Sequence, residues 1–467
     1  MPLAALREVL AAAGMETAAL PDIAGADPVV RTRYRVGTAG AAALAALGLA
    51  VARFGELRGL PRQGVAVDLR AAAASLRSAR YLKIGGRPPP PQWDPLSGFY
   101  PVRDGWISIH CNFPNHREAA LKVLQAEPDR QQAERRSASW AGEALEDAIH
   151  AAAGCAGFVR SAAEWQRHPQ AKAVASRPLI EIVRIGDAPP ERVAKGARPL
   201  EGVRVLDLTR VLAGPTCARS LAEHGADVMK ISAAHLPDSG PMDVDTGIGK
   251  LSARLDLRVA EDRAALERLI AQSDVFSQSY RPGTLAARGL SPEALAALRP
   301  GIVCVSLCAW DVTGPWRARR GFDSIVQSVS GMAELSAKDG RPQYLPVSAI
   351  DYVSGYLMAF GATLALERRA REGGSWLVRV ALARVGKWIV DRGLLPQGAV
   401  DEVPADLPDD ELRALMGEME TPLGRIRYLQ PVVRLTHTPP YWSRPPVPLG
   451  VHPPAWPDPM AGGAQGR

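Results

Sequence analysis

Apolar positions along the chain follow two patterns, a helical one at the front and a strand–helix alternation behind it. Met1–Met15 carries apolar residues at helical spacing, and Gly37–Val51 is an almost unbroken run of Ala, Gly, Leu and Val that predicts a helix. A turn at Arg58-Gly-Leu-Pro-Arg62 leads into the strand pattern Val65-Ala-Val-Asp-Leu69. The proline-rich stretch Gly85–Trp93 marks a boundary. After it, a turn at Arg103-Asp-Gly105 opens a hairpin into Trp106-Ile-Ser-Ile-His110. Residues 115–175 are predicted to be helical, up to Trp165-Gln-Arg-His168-Pro-Gln170, and a strand at Leu179–Arg184 runs into a loose linker over 186–199.

From Val203 the alternation becomes regular. Strand patterns at 203–208, 225–231, 274–278 and 302–307 are separated by helical ones at 214–224, 261–272 and 292–298. This predicts an α/β fold: a Rossmann-like, doubly wound parallel sheet as the large domain, with a second, smaller α/β domain. The expected divisions are residues 1–194, holding a degenerate partial repeat (about 35–80) and the smaller domain (about 85–190); 195–395, the large domain; and 396–467, an acidic helical segment with a proline-rich extended tail. The repeat is found by sliding the chain on itself by 313 positions: Leu44 then meets Leu357, Gly48 meets Gly361, and Val65, Val67 and Leu69 meet Val378, Val380 and Leu382. At the same offset Asp351 meets Thr38, so the first copy has lost its carboxylate.

Composition narrows the class without deciding it. The 467 residues are 47% hydrophobic and 22% charged, the balance of a soluble globular protein with large cores. A net charge of +7 suits an anionic small molecule, and no basic stripe with interleaved aromatics suggests nucleic acid. Five scattered cysteines are no disulfide framework, which points to a reducing cytoplasm. The longest uncharged run, Val36–Ala52, is short for a membrane span and reads as a buried helix; Arg7 and Glu8 break any signal-peptide layout in the first helix. His110, His116 and His168 lack metal-ligand spacing, so no metal is expected, and Trp93, Trp106 and Trp165 read as core.

The candidate chemistry centres on Asp351. An extended run, Tyr344-Leu-Pro-Val-Ser-Ala-Ile, reaches this carboxylate just before a helix-like run through Leu357, Phe360 and Leu364. A carboxylate at or just before a helix N-terminus is expected to stay ionised at neutral pH and to be able to attack an activated acyl group; the plain alternative is an N-cap. The opening Leu206-Asp-Leu-Thr-Arg210-Val-Leu-Ala-Gly214-Pro215 places a helix start where a nucleotide phosphate could rest. No Gly-x-Gly-x-x-Gly follows that strand, and Thr246-Gly-Ile-Gly-Lys250 lacks the Ser or Thr of a Walker loop.

Seven ordered blocks between about 199 and 390 resemble the class III (CaiB/BaiF-type) CoA-transferases. They are Pro199–Pro215, Leu221–Ile231, Lys250-Leu-Ser with Leu255-Asp-Leu257, Ser279-Tyr-Arg-Pro-Gly283, Thr313-Gly-Pro315, Gly321-Phe-Asp323 and Ile350-Asp351. The resemblance implies that Asp351 attacks an acyl-CoA thioester, passes through a mixed anhydride and an aspartyl-CoA thioester, and hands CoA to a small carboxylic acid. It further implies that coenzyme A is held by Arg210, Val211 and Leu212, by Lys230 and Lys250, and by Ser279, Tyr280 and Arg281. It also implies a homodimer, although a chain carrying both halves is conceivable as a monomer.

Departures from the family pattern shape the expectation. Arg210 and Leu212 replace His and Gln of formyl-CoA transferase, so Arg210 is a candidate clamp for a substrate carboxylate. Phe322 stands where related racemases carry a proton-transferring His, which disfavours racemisation. The pieces resembling the family's smaller domain precede the nucleotide-binding part, as in a fused, partly deleted duplication. Rival readings are an acyl-CoA racemase or isomerase, a non-catalytic acyl-CoA-binding member, and a plain nucleotide-binding regulator.

Overall fold

The computed structural model describes residues 1–17, 20–91 and 93–457, so Gln92 of the expected linker and the end of the expected tail, 458–467, lie outside the described residues. Seven strands form the main sheet: β1 (Glu181–Gly186), β2 (Arg204–Asp207), β3 (Asp227–Ser232), β4 (Lys250–Arg254), β5 (Val275–Gln278), β6 (Val303–Cys308) and β7 (Ser375–Ala381). Their order is β4-β3-β2-β5-β6-β7-β1, parallel throughout except for the antiparallel edge strand β1. The order reverses between β2 and β5, the switch point at which doubly wound sheets bind ligands. Strand β4 is an addition to the sequence expectation. Its alternation is masked by Gly249, Lys250 and Ser252, whose polar groups are absorbed by internal partners.

Period-two alternation divides the strand residues between two cores. Val205, Val228, Val275, Val303 and Val378 face a first core, while Leu206, Met229, Phe276, Cys304 and Leu377 face a second. The first core holds three long helices: α1 (Val36–Leu57), α2 (Ala213–Glu223) and α3 (Ala349–Glu372). α3 packs along both α1 and α2. Both α1 and α3 are apolar and long enough to span a bilayer, but their apolar windows are 94% and 100% buried inside the protein.

Residues 96–158 build a smaller unit around their own core, with the strands Gly98–Val102, Gly105–Ile109 and Ala156–Phe158 antiparallel and the helices Pro114–Leu124 and Gly142–Ala151 packed against them. The expected helical stretch 115–175 is therefore interrupted by the strand Ala156–Phe158. The acidic segment carries one helical turn pair, Asp409–Leu415, and then pairs as the strand Met416–Met419 with Ile426–Leu429. The extended tail covers the β4 edge: Gly249 and Ser252 exchange hydrogen bonds with Arg444, Gly450 and His452, and Trp442 and Trp456 donate to carbonyls of Arg219 and Leu269. An edge closed by a loop presents no free ladder for another chain.

Element boundaries recur at the offset of 313. Helices α1 and α3 begin at Val36 and Ala349, and the following strands end at Asp68 and Ala381. Helices then resume at Leu69 and Leu382, so each pair of boundaries is offset by 313.

Candidate active site

Three loops at the C-terminal ends of β2, β5 and β6 surround a cavity of about 540 Å³, and Asp351 lies at its inner wall. The β2 loop contributes Arg210, Val211 and Leu212, the β5 loop Ser279, Tyr280 and Arg281, and the β6 loop Arg317, Arg319, Arg320 and Phe322. Val211 is held at φ +70°, a conformation costly for a β-branched residue and tolerated where the surroundings fix the backbone. What fixes it is an internal strut. Lys250 Nζ bonds Asp207 Oδ2 at 2.8 Å and the Pro215 carbonyl at 2.9 Å, while Asp207 Oδ1 accepts from the amide and hydroxyl of Thr209. The strand end, the loop and the first turn of α2 are thereby tied together.

Seven of the nine residues expected to hold or attack the acyl-CoA are thus brought to one cavity: Asp351, Arg210, Val211, Leu212, Ser279, Tyr280 and Arg281 all line it, and only the two lysines are elsewhere. Lys230 and Lys250 do not reach the cavity. Lys250 is 2% exposed and spent on Asp207, and Lys230 is 4% exposed and paired with Asp243. Burial lowers the Lys250 pKa against the opposing pull of Asp207. Both lysines act as struts because their side chains are buried against carboxylates that only the fold brings to them, a placement that spacing in the sequence does not reveal.

Asp351 occupies the third position of α3, inside its first turn, because the helix already begins at Ala349. It makes no capping hydrogen bond of its own. The amide of Asp351 instead donates to Asp323 Oδ2 at 3.0 Å, and the Gln327 side-chain amide donates to Asp323 Oδ1. Gln327 is oriented in turn by accepting from the Leu345 amide at 2.7 Å. Asp323 therefore takes the amides that would have favoured charge on Asp351.

This corrects the expectation of an ordinary ionised carboxylate. Burial, reinforced by the charge of Asp323, raises Asp351 well above the usual carboxylate range. Asp323 is pushed up to about 6, again by burial, with amide hydrogen bonds from Asp351 and Ile350 pulling the other way. Two buried carboxyls this close share protons as a pair.

The smaller unit closes the cavity with Phe113, Asn115 and His116, at the start of the helix Pro114–Leu124. His110 stacks on Phe322 with centroids 3.9 Å apart and planes 5° apart, and His116 lies edge-on at 5.8 Å. Both imidazoles are held neutral by burial, at about 3 for His110 and about 4 for His116. Sequence reasoning treated position 322 alone, whereas the fold brings two histidines to it from another unit. It also missed Asp323, quoted only as part of a block, and the arginines of the β6 loop. Three arginines within Arg317–Arg320, just after a strand, were a readable signal; the histidines left none. His168 caps the helix Pro169–Ala175 by accepting from the Gln170 amide. Among the described residues no three His, Cys, Asp or Glu side chains are grouped to hold a metal ion.

Residues 200–416 match the family described as CoA-transferase family III. A "probable fatty acyl-CoA transferase" of Mycobacterium tuberculosis is 29% identical over 267 residues, 53% of this chain and 68% of that protein. The succinyl-CoA–D-citramalate CoA-transferase of Chloroflexus aurantiacus is 33% identical over 201 residues, 40% of this chain and 49% of that enzyme. Among solved structures, a CAIB/BAIF family protein from Brucella suis is 29% identical over 41% of this chain and 55% of its own, with a TM-score of 0.38. The chain thus spans about half the length of the Chloroflexus enzyme and about two thirds of the mycobacterial one.

Proposed function

We propose, from the match of residues 200–416 to CoA-transferase family III, that this chain moves coenzyme A from an acyl-CoA to a carboxylic acid and that Asp351 carries the CoA between them as a thioester. The observation that carries the reading is one carboxylate, 7% exposed and not used as a cap, on the wall of an otherwise cationic cavity at the sheet's switch point.

In this reading an Asp351 oxygen attacks the thioester carbon, forming a mixed anhydride and expelling thiolate. The anhydride is opened at the Asp351 carbonyl by that thiolate, which releases the first acid and leaves an aspartyl thioester. The acceptor carboxylate attacks the aspartyl carbonyl, giving a second anhydride and thiolate again. Attack of thiolate on the acceptor's carbonyl then regenerates Asp351 and yields the new acyl-CoA. Each step exchanges one oxygen or sulfur leaving group at a carbonyl, with no net proton or electron. A nucleophile with a raised pKa also bonds more strongly to carbon once deprotonated, and burial keeps water from the anhydride. Tyr280 packs beside the nucleotide, and the arginines at the cavity mouth face its phosphates. The five unpaired cysteines support a cytoplasmic location. A homodimer is proposed from the family alone.

The decisive experiment is intact-mass spectrometry of the chain with a panel of acyl-CoAs and hydroxylamine. The expected result is a hydroxamate on Asp351 that is absent in Asp351→Asn. CoA binding without any adduct from any donor would replace the transferase reading with that of an acyl-CoA-binding protein.

A further inference from the structure

The cavity holds more positive charge than its own carboxylates answer. Arg319 pairs with Asp147 and lies 3.7 Å from Glu146. Arg210, Arg281, Arg317 and Arg320 have no such partner among the described residues; Arg210 and Arg281 donate only to the carbonyls of Pro237 and Ala318. These four divide by depth. Arg281 and Arg317 are exposed at the mouth, whereas Arg210 and Arg320 are half-buried further in.

His116 lines the same cavity and lies within reach of the charges of both inner arginines. It is 6% exposed, and its Nδ1 has no hydrogen-bond partner. An imidazole with an uncommitted Nδ1 is not fixed in one tautomer from inside, so it is free to carry its proton on Nε2 and donate it to an anion. The charges of Arg320, Arg210 and Arg281 all act on this ring, which burial keeps neutral. Phe113 and Phe322 supply apolar walls, and the Arg210 guanidinium lies 5.2 Å over the Phe113 ring. Two forked cations and one neutral donor against apolar walls match a carboxylate. The reacting carboxylate must go to Asp351, so this is a seat for a different one.

We infer that Arg210, Arg320 and His116 form an anion subsite beside Asp351 that takes the non-reacting carboxylate of a dicarboxylic acid. The assignment of the reacting end rests on the transferase reading; the subsite itself is a statement about binding. A site whose buried donors need a carboxylate rejects an acid without one, because those donors are then left unpaired.

The test compares succinate with butyrate, of equal chain length. Equilibrium dialysis with the wild-type chain and free CoA, a mixture that holds no thioester and cannot turn over, is expected to show succinate bound at least tenfold more tightly. In Arg320→Gln, and separately in Arg210→Gln, that preference falls by about tenfold or more, while His116→Asn reduces it less. Equal binding of the two acids by the wild type overturns the subsite. So does a loss in Arg320→Gln that falls on CoA binding instead of on the succinate preference, since the inner arginines would then serve phosphates. Steady-state exchange separates the two proposals. Exchange with no dicarboxylate preference sinks the subsite and leaves the transferase standing; a succinate preference in dialysis with no exchange for any pair does the reverse.

Discussion

At Asp351 the helix-terminus argument and the burial argument point in opposite directions, and the fold decides between them. Asp323 accepts the amide that would otherwise steady the Asp351 charge, then adds its own charge as a second obstacle to ionisation. Both carboxyls have pKa values raised by folding, so the pair contributes stability in the protonated state, below the ordinary carboxylate range. That contribution is lost as pH rises through about 6, the value reached by Asp323. Asp323→Asn removes a charge while leaving an oxygen to accept the Asp351 amide. The acid limb of kcat/KM is then expected to move down by about one pH unit. The urea midpoint of the variant relative to wild type is expected to improve between pH 4 and pH 8. An acid limb that stays in place would mean that burial alone sets the Asp351 pKa. Asp351 was legible in the sequence because a lone carboxylate between an extended run and a helix stands out. Asp323, 28 residues upstream, was not, since only the fold shows that its side chain reaches the Asp351 amide.

Among elements, the α2–α3 crossing transmits the position of the β2 loop to the nucleophile. The helices approach so closely that a Cβ on Gly355 would lie 2.5 Å from the Ala213 carbonyl oxygen and 2.7 Å from Thr216 Cβ. A backbone oxygen has little room to yield. Gly355→Ala is therefore expected to cost about 1–3 kcal/mol, measured by urea unfolding. Because Leu212 and Ala213 line the cavity, it should also lower exchange activity beyond what the unfolded fraction explains. A loss of stability with full activity per folded molecule would show that α2 shifts without carrying the loop. Most of these elements were readable, since strands buried on both faces and amphipathic helices leave strong patterns: Pro292–Leu298 emerges with the bounds that its sequence predicts. β4 and the strand Ala156–Phe158 were not readable. The first is written in Lys and Ser that find partners only after folding, and the second is too short, at three residues, to show a period.

On the scale of the whole molecule, one carboxylate clamp occurs twice. Asp323 receives the amide at the third position of α3, and Asp27 receives the amides of Gly37 and Thr38 at the second and third positions of α1, at 3.0 and 2.8 Å. The offset of 313 that aligns the helices thus also aligns Asp351 with Thr38, each above its own clamping aspartate. The copies have parted in chemistry. Asp351 faces the cavity, whereas Thr38 is 3% exposed, and its hydroxyl bonds Asp27 and offsets part of the burial that raises that carboxyl. α1 has become a packing partner for α3, and a chain so built is expected to carry one reacting aspartate. Restoring the carboxylate tests this directly. Thr38→Asp removes the donor to Asp27 and buries a second negative charge beside it, which is expected to destabilise the fold by about 3 kcal/mol at neutral pH. The penalty shrinks at low pH, where both carboxyls are protonated, because a group whose pKa is raised by folding loses its stabilising share as pH increases. Hydroxylamine trapping on the folded variant should still give one hydroxamate per chain, at Asp351. A second adduct at position 38 would mean that the first copy retains an open acyl site and that the fold holds two centres.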